Sequence, residues 1–374
     1  MSTLIFIAVI VALILVHELG HFVVAKLSGM RVDEFGLGYP PRALTIATVG
    51  ETAYTLNWLP FGGFVKIYGE DALSPDAAKD ARAFSSKPRI LQALVLVAGI
   101  AMNLLFAYAL ITGALIMGTP RSLDESELAS ARSMELMVAN VLPGTPAARA
   151  GLVAGDSIMS AKDAKGEWLP STALGTSVPL PKSFSAFIAA SGGKDVFLTI
   201  KNKGGEQVIT AIPAEGLIDN EPFRHALGIE VATVGVLPLS FGAAIVEGAH
   251  LTWSATKMTA LGLGHFFYGI LTLSADLSQV AGPIGIAGAV GSASSQGFGD
   301  LLSIMAIISI NLALINLIPI PALDGGRLLF VIIESIIRRP IKASIAGSIN
   351  MVGFAFLVLL MLVVTAHDIF KIVG

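Results

Sequence analysis

Apolar residues gather into four long blocks along the chain, Thr3–Leu27, Ile90–Gly118, Leu301–Ile320 and Ile345–Thr365. Each is long enough to cross a bilayer as a helix, which takes about 20 residues. Between the first two blocks the pattern shortens. LTIATV and TAYTLNWL are β-like runs rich in Thr, Val, Ile, Tyr and Trp, and the flanking FGLGYPP and LPFGGF read as turns. Residues 119–238 lose the membrane composition. There VANVLPGTPAARAGLVAGDSIMSA predicts strand, turn, helix, turn, strand, and VFLTIK pairs with Val208–Ile212 around Asn202–Glu206. Residues 239–275 place Glu247, His250, Ser254 and Lys257 on one helical face, which predicts an amphipathic helix along a membrane surface. The Gly-, Ala- and Ser-rich stretch 278–299 predicts a loop.

The fold class expected is therefore a polytopic α-helical membrane protein. It has four transmembrane helices, a small membrane-associated β-region and an inserted soluble domain. The divisions fall at 1–27, 28–88, 89–118, 119–238, 239–300, 301–326 and 345–367. Composition agrees. The chain is 54% hydrophobic and 14% charged over 374 residues. That is too apolar for a soluble protein of this length. A net charge of −3 without a basic cluster gives no sign of a nucleic-acid partner. There is no cysteine, which excludes disulfides, thiolate catalysis and thiolate metal ligands. The N-terminus lacks a basic n-region and a small-residue cleavage site, so it reads as a retained helix rather than a signal peptide. Lys26, Arg31, Lys66, Lys87 and Arg89 in the first loop, with Arg338, Arg339 and Lys342 between blocks three and four, place both loops in the cytoplasm. Lys371 is a small vote the other way.

The first block carries VHELGH at 16–21. Titratable groups are costly in hydrocarbon and need a partner or a purpose. His17 and His21 share one helical face and can reach one ion, with Glu18 beside them as a proton acceptor. A zinc site of this kind takes three protein ligands and an open position. The alternatives are a polar cluster that binds a neighbouring helix, or a proton relay. Just past the third block, NLIPIPALDGGR holds Asp324 as its only acid. Pro319 and Pro321 break the helix there, and Gly325 and Gly326 permit a tight turn. Broken backbone at membrane depth lines a cavity or is buried in protein. Asp324 is thus the candidate third ligand; its other reading is a helix-end cap. His17 lies roughly 20 Å along the helix from Leu4, toward the end where Asp324 is expected. The histidines at 225, 250, 265 and 367 are isolated and carry no such pattern.

With HELGH in the first span, NLIPIPALDGG at 316–326, LPFGGFVKIYGE at 59–70, GTPAARAGLVAGDSI at 144–158 and GPIGIAGAVG at 282–291, the chain resembles the site-2 protease family of intramembrane zinc metalloproteases, in its bacterial RseP-like branch. Two features depart from that pattern. Span two reads GIAMN at 99–103 where the family often has GPxxN, and a single PDZ-like domain stands where some members have two.

The resemblance implies Zn²⁺ held by His17, His21 and Asp324, with Glu18 as general base. It implies that Asn316, Pro319 and Pro321 contact substrate or shape the cleft, and that Gly62 and Gly63 let an extended substrate approach the β-region. It also implies single-span membrane substrates already trimmed by an upstream site-1 protease, such as anti-sigma factors and remnant signal peptides. The setting implied is the bacterial cytoplasmic (inner) membrane, with the active site toward the cytoplasm and the PDZ domain outside. Two competing functions are a PDZ-based membrane scaffold with a dead metal site and a metal transporter. An intact Glu18 argues against the first, and the lack of further ligands across the spans argues against the second.

Overall fold

A mostly apolar run without proline, carrying HELGH in its second half, folds as α1, Ser2–Leu27, about 39 Å long by the helical rise per residue. The structure, a computed structural model, describes residues 2–70, 80–128, 130–173, 176–178, 180–202, 205–218, 221–237, 239–272, 281–339 and 341–373. The chain divides into two units, Met1–Met117 with Phe241–Gly374, and Gly118–Ser240.

In the first unit, α1 leads into the strands β1, Val32–Val49, and β2, Thr52–Ile67. Helix α2, Arg89–Ile116, follows Pro88, whose missing amide hydrogen costs nothing at a helix start. Among the described residues, four helices are long and apolar enough to cross a membrane, over Thr3–Leu27, Arg89–Ile116, Phe298–Leu317 and Ser344–Phe370. Helices α1 and α2 meet at glycine: a Cβ on Gly20 would strike the Ala98 carbonyl and the Gly99 Cα. Such small-residue contacts are how membrane helices approach closely.

FGLGYPP and LPFGGF, expected as turns, instead run inside β1 and β2. Register shifts between the two strands and positive φ at Gly38 and Gly62 let the long strands bend without ending. As a result Glu34–Leu37 pairs on one side with Ala53–Leu56 and on the other with Gly63–Lys66.

The second unit contains β3 (Arg121–Ser122), β4 (Arg132–Val141), α3 (Pro146–Arg149), β5 (Ser157–Lys162), β6 (Glu167–Trp168), β7 (Ser171–Ala173), β8 (Thr176–Val178), α4 (Pro181–Ala190), β9 (Val196–Asn202), β10 (Gly205–Ala211) and β11 (Ile229–Val236). The main sheet runs β10-β9-β5-β4-β11-β3, with β6 on β5. Alternation along the strands turns Leu136, Val138, Ile158, Leu198 and Ile200 inward, where Phe184 and Ile188 of α4 cover them. Residues 203 and 204 of the expected Asn202–Glu206 turn lie outside the described residues.

The chain returns to the first unit with α5, Phe241–Leu271, which packs against α2 and against α7, Phe298–Leu317. Tyr108 Oη of α2 donates to the Ile245 carbonyl at 3.3 Å. The stretch 278–299 is not a loop over its described part: Pro283–Gln296 forms α6. Its small residues, which read as loop in a soluble protein, let it pack closely against α1, α7 and α9, Ala343–Val373. Asp368 of α9 accepts from the Gly282 amide at 3.2 Å and from the Gly285 amide at 2.8 Å. Its carboxylate thereby satisfies amide groups that the start of α6 leaves open. Residues 278–280 are outside the described set. Helix α7 ends before Pro319. Helix α8, Asp324–Ile337, then begins inside the expected division 301–326, past the apolar block that ends at Ile320. Arg89 pairs with Glu334 at 2.7 Å, which ties the start of α2 to α8.

Leu198 is fully buried, whereas Val208 on the neighbouring strand is 64% exposed. Leu198→Ala should destabilise the second unit by about 2–5 kcal/mol, and Val208→Ala by less than about 0.5 kcal/mol. Hydrogen exchange of the β9 and β10 amides reads the difference; equal loss of protection in the two variants would contradict this core.

Candidate metal centre

The site forms where three helix segments converge. On α1, His17 and His21 sit one turn apart, both buried. The chain beyond Leu317 reverses through Pro319 and Pro321, and α8 opens on Asp324. The reversal is tight enough to require glycine. A Cβ on Gly325 would strike the Leu317 and Ile318 carbonyls, and one on Gly326 the Ile320 carbonyl. The fold thus brings Asp324 to α1. Its Oδ2 lies 3.0 Å from His17 Nε2 and 3.2 Å from His21 Nε2, and the two Nε2 atoms are 3.2 Å apart.

These distances fit a metal. Ligand atoms about 2.0–2.1 Å from a tetrahedral ion lie roughly 3.3 Å from one another. Two imidazole nitrogens and one carboxylate oxygen form a donor set that zinc accepts. Among the described residues, this is the one cluster of three or more such ligands.

Helix α2 supports both rings from behind. Val95, Gly99 and Asn103 follow one another at one-turn spacing and present a single face. His21 Nδ1 donates to the Val95 carbonyl at 2.8 Å, which leaves Nε2 free to bind an ion. Asn103 Nδ2 stands 3.1 Å from His17 Nδ1. Between them Gly99 makes room, since a Cβ there would overlap His21 Nε2 and His17 Cε1.

Glu18 lies beside the histidines, and a Cβ added at Gly63 of β2 would be 3.3 Å from its Cγ. Gly63 is therefore gathered at the site. Gly62 stands against the Tyr39 ring, which fills the space a side chain would need. Asn316 is half-buried in the last turn of α7. Pro319 and Pro321 line an apolar cavity with Ile320, Ile349, Val352 and Phe356, and none of His17, His21 and Asp324 is in that lining. Sequence reasoning passed over Val95, Gly99 and Asn103 as a supporting face. The available signal was Asn103, an amide deep in an apolar span and one turn from a glycine.

The profile of peptidase family M50 matches residues 5–360. The chain is 36% identical over 358 residues to a protein of Clostridium perfringens provisionally named a zinc metalloprotease, with 96% of this chain and 95% of the relative covered. A protein of Nostoc sp. with the same provisional name is 32% identical over 362 residues, covering 96% and 93%. The zinc metalloprotease RasP of Oceanobacillus iheyensis is 28% identical over 449 residues, covering 97% of each.

Gly99→Ala should push His21 off the ligand cluster and lower bound zinc in the purified protein at least tenfold. Gly347→Ala, where a Cβ meets open space, should leave zinc content unchanged. Elemental analysis of the two proteins checks this, and full zinc content in Gly99→Ala would contradict it.

Proposed function

The chain belongs to peptidase family M50 and is a zinc metalloprotease, and we propose that it cleaves single-span membrane proteins within the bilayer. The observation that carries this reading is the His17–His21–Asp324 cluster, set on helices that are long and apolar enough to span. Zinc held there would polarise the scissile carbonyl and make water nucleophilic near neutral pH. Glu18 takes the proton from the attacking water and passes it to the leaving amine. His21, anchored through Nδ1 on Val95, keeps its ring in place as charge develops.

A transmembrane helix hides its peptide bonds and must unwind before hydrolysis. The run Gly63–Lys66 pairs with Glu34–Leu37 on one side and with no described strand on the other. Gly63 of this run approaches Glu18, and the open edge can take up an extended substrate by strand addition. Pro319 and Pro321 would border the path of that substrate, and Asn316, in the helix turn just before them, would bond its exposed backbone.

The second unit reads as a single PDZ-like domain. A cavity of about 220 Å³ lies between α4 and β11, lined by Phe184, Ile188, Leu227, Gly228 and Ile229. Ile229–Ala232 pairs with β4 and has no described strand on its other edge. A peptide end freed by an earlier cut could add there. The basic residues flanking the spans support a reading with the metal site on the cytoplasmic side of a bacterial inner membrane and this unit on the outer side.

Glu18→Gln should lower cleavage of a single-span substrate in liposomes by about 10²–10⁴-fold, with zinc content at the wild-type level. Undiminished cleavage, or loss of zinc along with activity, would contradict the role of Glu18 as base.

A further inference from the structure

The two histidines are held differently from behind. A histidine that binds metal through Nε2 carries its proton on Nδ1, so Nδ1 must face an acceptor. His21 meets this need at the Val95 carbonyl. His17 Nδ1 faces the Asn103 side chain, whose Nδ2 is the nearer atom at 3.1 Å. That pairing suits the other tautomer of His17, with its proton on Nε2 toward Asp324 Oδ2 at 3.0 Å. Meanwhile Asn103 Oδ1 is buried and has no hydrogen-bond partner among the described residues. A buried amide oxygen left so is unfavourable.

The amide is almost symmetric in shape, and turning it over exchanges acceptor for donor at the same place. Asn103 itself is fixed. It is fully buried, and Ser309 Oγ of α7 donates to its main-chain carbonyl at 2.8 Å. With its main chain held there, the amide can still present Oδ1 to the ring.

We propose that Asn103 is the positioning residue for His17: its side-chain amide, turned so that Oδ1 accepts the Nδ1 proton, holds the ring with Nε2 toward the zinc position. The proposal rests on the reading of His17, His21 and Asp324 as zinc ligands. It goes beyond that reading in giving the zinc affinity of the site a determinant that touches neither metal nor substrate.

The test is zinc affinity of the full chain in detergent, by competition with a chelator. Asn103→Leu keeps the volume and removes both polar atoms. Asn103→Ala is a smaller truncation that does not depend on leucine fitting. Asn103→Asp retains an acceptor and should rescue. Leu and Ala should weaken zinc binding about 10–100-fold, and Asp should stay within about threefold of wild type. Wild-type affinity in the Leu or Ala variant would overturn the proposal, and so would an Asp variant as weak as the Leu variant, since that marks a packing role. Absence of zinc from the wild-type protein would overturn the ligand reading itself and this proposal with it, which separates the two failures.

Discussion

The structure depends on one constraint: ionisable groups inside hydrocarbon must find each other. An aspartate and two histidines in apolar helices would each be costly alone. Brought within 3.0–3.2 Å of one another, they form a site that a divalent ion can neutralise. Other features near the membrane core serve that approach. Gly20 and Gly99 let α1 and α2 come close, Gly325 and Gly326 let the chain double back beneath α7, and Gly353 gives room to the Pro321 carbonyl as α9 passes.

Chemistry and access are supplied by different parts of the first unit. The rigid helices α1 and α2 carry the histidines and their supports. The bent strands bring Gly63 to Glu18, and the broken segment after α7 supplies the carboxylate and lines an apolar cavity.

Much of this was legible in the chain. HELGH announces two ligands and a base because helix periodicity alone puts His17 and His21 on one face. The proline pair and LDGG mark a break with a single acid. What sequence could not give was which face of α2 turns toward α1. The roles of Val95, Gly99 and Asn103 depend on the rotation of one helix against another, which no local pattern encodes. The misread segments have a common cause. Glycine-rich FGLGYPP and LPFGGF, and the small-residue run of α6, carry composition that signals turns in water. Inside a sheet with register shifts, or among packed membrane helices, the same residues serve bending and close approach.

The central claim is that zinc is bound by two histidines and one aspartate inside the helical membrane unit. X-ray absorption at the zinc edge of the purified full chain tests it most directly. The account predicts one zinc per chain with only nitrogen and oxygen neighbours at about 2.0–2.1 Å, two of them imidazoles, and loss of the signal on Asp324→Ala. A chain without zinc, or a zinc spectrum unchanged by that substitution, would contradict it.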